Sequence, residues 1–179
     1  MILWISGVRG SGKSTLTKKV LKSLGSPVKF EHEGLTAYNF NNILFLGRYK
    51  GRITGLGTFY CSKDNFINYV TAMVNEYKHI LIEGHKYITT LPEIFEAFDK
   101  ISEFKMIYLE TDISEITRRR RERARNKEKN IEDSATISPL SRYDSILNNP
   151  STLIRRNDDM NLMKKTHEEI MKMLSIWEK

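Results

Sequence analysis

The sequence predicts a three-layer α/β/α fold with a central, mainly parallel sheet. Three observations carry this expectation. The chain opens on a continuously apolar run, residues 1–5, closed by Ser6-Gly7. A run without alternation suits a strand buried on both faces, as parallel sheets require. Two more largely apolar segments without strict alternation follow at 79–83 and 104–109. Segments with helical spacing of apolar residues lie between them, and that alternation argues for helical crossovers. With 179 residues, of which 40% are hydrophobic, one domain over 1–179 can remove roughly 70% of its unfolded surface from water.

The elements are read in order. After the first strand, residues 7–14 form a glycine-rich loop. Residues 13–24 are helical, with Leu16, Val20, Leu21 and Leu24 on one stripe, and Gly25 and Pro27 end them. A second strand is expected over 28–32. Residues 35–40 and 43–46 flank Asn41-Asn42. Asparagine tolerates positive φ, so an inserted β-hairpin is expected there. Residues 47–57 hold four glycines with Arg48, Lys50 and Arg52. No core-forming period survives in that stretch, and an exposed loop is expected. Ser62 or Asp64 caps a helix whose stripe is Phe66, Val70, Met73 and Tyr77. Residues 79–83 form a buried strand ending in Gly84, 91–99 a short helix, and 104–109 another strand. Asp112 or Ser114 opens the next helix. A polar loop is expected over 126–139 and a short helix over 141–147. A last helix starts at Asp158, with Leu162, Thr166, Ile170, Met173 and Trp177 on one face.

Composition removes several classes. Cys61 is the only cysteine, which excludes an intrachain disulfide framework and a multi-cysteine zinc site. No apolar run approaches the roughly 20 residues of a membrane span. The start of the chain lacks the basic segment and length of a leader peptide. A cytoplasmic protein with no membrane partner is the expectation. The net charge is +7, and residues 118–129 alone contribute +6 through six arginines and two lysines against two glutamates. A patch this dense is either a solvated helix face or a surface for phosphate-rich partners.

The strongest motif is Gly7-Val8-Arg9-Gly10-Ser11-Gly12-Lys13-Ser14, a complete G-x-x-x-x-G-K-[ST] match. An apolar strand precedes it and an amphipathic helix follows, as the Walker A phosphate loop requires. Glycines let successive N–H groups converge on phosphate oxygens, and the helix adds its positive end. The expected nucleotide ligands are therefore Gly7, Arg9, Gly10, Ser11, Gly12, Lys13, Ser14 and Thr15. Lys13 reaches the β- and γ-phosphates, and Ser14 ligates Mg²⁺. The acid that ends the 79–83 strand, Glu83, is the second expected metal ligand. The cofactors implied are ATP and Mg²⁺, and the fold implied is that of P-loop NTPases. No Asn-Lys-x-Asp guanine-reading string occurs after a strand. The nearest, Asn126-Lys127-Glu128-Lys129, carries Lys in the position of Asp.

The strand ending Ile107-Tyr108-Leu109-Glu110 and the helix from Ile113 to Arg125 resemble the late strand and arginine-bearing lid helix of the nucleotide and nucleoside kinases. The resemblance implies a lid region over 113–139. It also implies one arginine on the adenine side and others clamping the transferring phosphate. Arg119 and Arg123, four residues apart on one face, match these places, and Arg125 is a further candidate. Leu46-Gly47-Arg48-Tyr49 and Gly55-Leu56-Gly57-Thr58 look like phage-encoded P-loop kinases that phosphorylate 5-hydroxymethyluridine within DNA. That likeness implies an acid in the second glycine cluster, where this chain has Gly57; Asp64 is the nearest acid downstream.

A kinase must also orient a hydroxyl and accept its proton, usually with a carboxylate. The candidates are Glu31, Glu33, Asp64 and Glu83. Arg48, Tyr49, Lys50 and Arg52 supply cations and an aromatic face for a nucleic-acid acceptor. The region 35–63 is thus read as a hairpin and substrate-loop insertion. Three functions remain open on the sequence: a kinase acting on nucleic acid, a kinase of free nucleosides or nucleoside monophosphates, and a nucleotide-regulated nucleic-acid-binding module.

Overall fold

The computed structural model describes residues 1–32, 35–48, 55–56, 61–84, 91–124 and 147–174. Seven strands form one sheet: β1 (Ile2–Gly7), β2 (Val28–His32), β3 (Leu35–Phe40), β4 (Ile43–Leu46), β5 (His79–Glu83), β6 (Phe104–Glu110) and β7 (Thr152–Arg156). The spatial order is β2-β3-β4-β5-β1-β6-β7. β1 pairs in parallel with β5 and β6, β4 with β5, and β6 with β7. β3 is antiparallel to both β2 and β4, so it is the one strand opposing the common direction among the described residues. The helices are α1 (Lys13–Leu24), α2 (Lys63–Met73), α3 (Leu91–Ile101), α4 (Ile113–Ala124) and α5 (Met160–Met173).

Strand alternation sorts the core into two layers. Ile2 and Trp4 face one side and pack with Phe66 and Tyr69 of α2, Phe98 of α3, and Phe104. Leu3 and Ile5 face the other and pack with Leu16 and Val20 of α1 and with Met163, Ile170 and Met171 of α5. On the first side, Phe66 lies edge-on to Trp4 at 5.9 Å and to Phe98 at the same separation. The Trp4 indole donates to the Gly84 carbonyl at 2.9 Å, so the one polar atom of this buried ring is satisfied.

Asn41 and Asn42 both take positive φ, 48° and 70°, and the Asn39 side chain accepts from the Asn42 N–H at 3.1 Å. This two-residue turn with positive φ twice over matches the twist of a tight hairpin. The hairpin is not an appendage, however. Its second strand, β4, lies next to β5 and is buried along its whole length.

Three further expectations need correction. The stretch 47–57 is not simply exposed, because Gly47, Gly55 and Leu56 are buried. A seventh strand, β7, follows Pro150, where no element was expected before the last helix. The last helix is capped by Asp159, whose carboxylate accepts from the N–H groups of Asn161 and Leu162 at 2.7 and 2.9 Å. Its inward face consists of Met163, Thr166, Ile170 and Met171, a stripe that shares only Thr166 and Ile170 with the expected one. Trp177, the 126–139 loop and residues 141–146 of the expected short helix lie outside the described residues.

Two measurements test this packing. Phe66→Ala should cost about 3–5 kcal/mol in denaturant unfolding, since it empties an aromatic site in a close-packed layer. His79, at the start of β5, is buried with neither ring nitrogen hydrogen-bonded among the described residues. Burial first, then the N-terminus and Lys78, push its pKa from 6.5 down to about 4. The unfolded chain therefore takes up this proton before the folded one does. Stability is held above pH 6.5 and lost as the pH falls toward 4, by about 2 kcal/mol between pH 7 and pH 5. Unfolding midpoints of His79→Leu should be flatter over that interval than those of the parent; equal slopes would refute the assignment.

Candidate active site

The carboxyl ends of β1, β5, β6 and β7 lie along one edge of the sheet, the edge where α/β proteins place their sites. β1 leads there into residues 7–14. Gly7, Gly10 and Gly12 have φ of 146°, 101° and 92°, a region side chains rarely occupy. Space requires glycine as well. A Cβ on Gly7 would lie 2.6 Å from the Ser11 hydroxyl and 2.8 Å from the Leu109 carbonyl, and one on Gly12 would run into the Asn157 amide. Gly12 caps α1 without a side-chain hydrogen bond, and the positive end of the helix faces the loop. The Ser11 hydroxyl is buried with no partner among the described residues. Cradle and orphaned hydroxyl together fit a phosphate group.

Lys13 is 8% exposed, and its ammonium donates to the Val8 carbonyl at 3.1 Å. Ile5 lies beside Glu83 in the β1–β5 register. That register brings the Ser14 hydroxyl to the Glu83 carboxylate, to which it donates at 3.1 Å. Glu83 is buried, at 2% exposure. Two hard oxygens at this separation fit Mg²⁺. No cluster of three or more His, Cys, Asp or Glu side chains among the described residues could hold a metal ion. Mg²⁺ bound by two such groups commonly completes its shell with phosphate oxygens and water.

The opposite wall comes from α4 and the β7–α5 connection. Arg119 is mostly buried. Its guanidinium donates to Glu115 at 2.6 Å and to the carbonyls of Asn157 at 2.8 Å, Asp158 at 3.0 Å and Gly10 at 3.5 Å. It is a strut joining three segments. Arg118 donates twice to Glu115, at 2.7 Å each, and also bonds Glu122. Arg118 first and Arg119 with it hold the Glu115 carboxyl down to about 2. Between this wall and α1 lies a cavity of about 480 Å³, lined by Gly12, Thr15, Arg118, Arg119, Asp158, Met160 and Met163 among others.

Sequence reasoning missed Asn157 and Thr111. Asn157 is fully buried, receives Arg119 on its carbonyl, and donates through its amide to the Ser11 carbonyl. Thr111 donates to the same Ser11 carbonyl at 3.3 Å. A polar residue directly after a strand was the available signal, but β7 itself was not foreseen.

The other expected residues are distributed unevenly. Arg9 and Thr15 are exposed at the loop. Arg48 is exposed beyond β4, and its carbonyl accepts from the Gly55 N–H at 3.2 Å. Gly55 in turn lies directly against Glu83. Glu31 is not brought to the phosphate loop. β3, β4 and β5 intervene, so it sits on the edge strand about 19 Å from β1 at ordinary strand spacing. There it is ion-paired with Lys29 at 2.8 Å, which holds its carboxyl below the usual range. Asp64 is exposed in the first turn of α2 beside Lys63, and Ser62 is the cap that accepts from Asn65. Arg123 belongs to α4, but its side chain lies outside the described part, as do Glu33, Tyr49, Lys50, Arg52 and Arg125.

No protein-family model matches the chain, and no curated protein matches it. Solved structures share its fold. A shikimate kinase from Bacteroides thetaiotaomicron aligns at TM-score 0.53 with 16% identity, covering 98% of each chain. A gluconokinase from Sinorhizobium meliloti 1021 aligns at TM-score 0.52 with 10% identity, covering 99% of this chain and 97% of that one. At these identities the likeness is one of fold: the chain has the P-loop α/β architecture of these two kinases.

Asn157→Ala tests the buttress beneath the loop. It leaves the Ser11 carbonyl without its amide donor and should lower stability by about 1–3 kcal/mol in denaturant unfolding. A variant as stable as the parent would show the contact to be unimportant.

Proposed function

We propose that this protein is an ATP- and Mg²⁺-dependent phosphotransferase that moves the γ-phosphate to a hydroxyl group. One observation carries the reading: a complete phosphate loop whose Ser14 hydroxyl meets the buried Glu83 carboxylate at 3.1 Å. In this reading the glycine cradle and the start of α1 hold the phosphates through backbone N–H groups. Lys13 turns from the Val8 carbonyl toward the β- and γ-phosphate oxygens. Ser14 and Glu83 hold Mg²⁺, which when bound neutralises charge on those oxygens. The cavity beside Arg119 takes the nucleoside end. Arg123, one turn further along α4, meets the charge that develops on the transferring group, as a closing lid would.

For the acceptor, the reading is a hydroxyl on nucleic acid, specifically the hydroxymethyl group of 5-hydroxymethyluracil in DNA. Its support is the resemblance carried by residues 46–49 and 55–58. Arg48, whose carbonyl accepts from the Gly55 N–H beside Glu83, adds to it. A small-molecule alcohol, free nucleosides included, is the second reading, favoured by the two kinases of similar fold, whose names specify gluconate- and shikimate-type acceptors.

Incubation with γ-labelled ATP and Mg²⁺ separates these. Hydroxymethyluracil-containing DNA, ordinary DNA, RNA, nucleosides, nucleoside monophosphates and sugar acids are offered in turn. Label in the modified DNA supports the first acceptor, and label only in a small molecule supports the second. ATP binding without transfer to any acceptor would replace the phosphotransferase by a nucleotide-regulated binding module. Lys13→Ala should lower transfer by about 100-fold or more, the usual cost of losing a charge-stabilising donor. Undiminished turnover in that variant would overturn the phosphate-loop mechanism.

A further inference from the structure

We propose that Gly55 is a positioning residue for the Glu83 carboxylate, and that it ties the 48–55 loop to the cation-binding pair; this rests on the Ser14–Glu83 reading above. β4 ends at Leu46, which lies opposite Ile82 in the register. The chain therefore leaves the sheet one residue short of Glu83. Gly47 turns it away with φ +99°, and Gly55 brings it back with φ +59°. The Gly55 N–H donates to the Arg48 carbonyl at 3.2 Å, closing the loop as a single antiparallel bridge.

The packing at this closure is main chain on main chain. A Cβ on Gly47 would lie 2.6 Å from the Gly55 Cα. A Cβ on Gly55 would lie 2.7 Å from Oε2 of Glu83 and would overlap the Glu83 carbonyl oxygen. Leu56, fully buried, packs next to Gly84 and fixes the returning chain. Glu83 is thus bounded on two sides. Oε1 receives the Ser14 hydroxyl, and the Gly55 backbone stands against Oε2. A carboxylate at a strand end has several staggered rotamers. Here the neighbouring main chain blocks the swing away from Ser14, so the side chain is ordered before a cation arrives. Such support is what holds a ligand group in productive geometry.

The test measures Mn²⁺ affinity by electron paramagnetic resonance in the presence of β,γ-imido-ATP, so it does not depend on turnover. Gly55→Ala should weaken Mn²⁺ binding by about tenfold or more, the usual scale for a residue supporting a metal ligand. The same substitution in a Glu83→Ala background should cost several-fold less affinity, because only the main-chain contact remains and no carboxylate is left to displace. An equal loss in both backgrounds would overturn the proposal and reduce Gly55 to a folding residue. Gly47→Ala, which pushes on Gly55 and not on Glu83 itself, should weaken binding in the same direction. It serves as the measurement if Gly55→Ala does not fold, and unchanged affinity in a folded Gly47→Ala would then refute the idea. Parent protein that binds neither nucleotide nor Mn²⁺ would instead overturn the phosphotransferase reading, a result distinct from any of these.

Discussion

The parallel pairing of β1 with β5 is the constraint on which the rest of the site depends. It sets Ile5 beside Glu83, and so fixes how far the first turn of α1 stands from the end of β5. A slip of one residue would carry every side chain of a strand to the opposite face. Here that would put Trp4 among the aliphatic residues of α1 and take Glu83 away from Ser14. Register is strongly determined because β1 is buried on both faces, with no exposed position from Ile2 to Ile5. Core packing and site geometry are thus one requirement.

The second wall is held differently. Where the phosphate loop meets Glu83 through strand register, it meets α4 and α5 through hydrogen bonds to backbone carbonyls. Arg119 spans Gly10, Asn157 and Asp158, while Thr111 and Asn157 converge on Ser11. A guanidinium with five fixed donors is suited to bridging several carbonyls at once. Arg118 is tied to Glu115 and Glu122 along the same helix. Two of the arginines of this charge run, Arg118 and Arg119, are therefore engaged by carboxylates of their own helix, and net charge is a poor guide to what this surface attracts.

What was legible in the sequence follows from the range of the interactions involved. Residues 7–14 could be read directly because cradle, lysine and serine are contiguous, and their meaning needs only a strand before and a helix after. β1, β5 and β6 announced themselves as apolar runs because both faces are covered. β7 did not. Its residues, Thr-Leu-Ile-Arg-Arg, are only half buried at the sheet edge, and neither a continuous run nor strict alternation results. Asn157 escaped for the same reason, since its partner Ser11 is 146 residues away. Glu31 was drawn toward the site by its place at a strand end. Only the strand order shows that two antiparallel pairings set it aside. The burial of Gly55 against Glu83 had no local signal, because a glycine in a cation-rich loop reads the same whether it is solvated or wedged between two main chains.

The strand order also bears on how the chain comes to be folded. β1 is made first, yet its partners are β5 and β6, and Ile2 pairs with Ile80 on one side and Phe104 on the other. At ordinary rates of synthesis, roughly 100 residues take on the order of 5–20 s to appear. Through that interval β1, which has no exposed position from Ile2 to Ile5, has neither edge satisfied. Pairings this distant in sequence are slow to form and leave strand edges open to other chains. The β3–β4 hairpin, closed by the two asparagines, can form early and offers β4 as an edge for β5. The strand that carries the phosphate loop can be flanked on both sides only once β6 has been made.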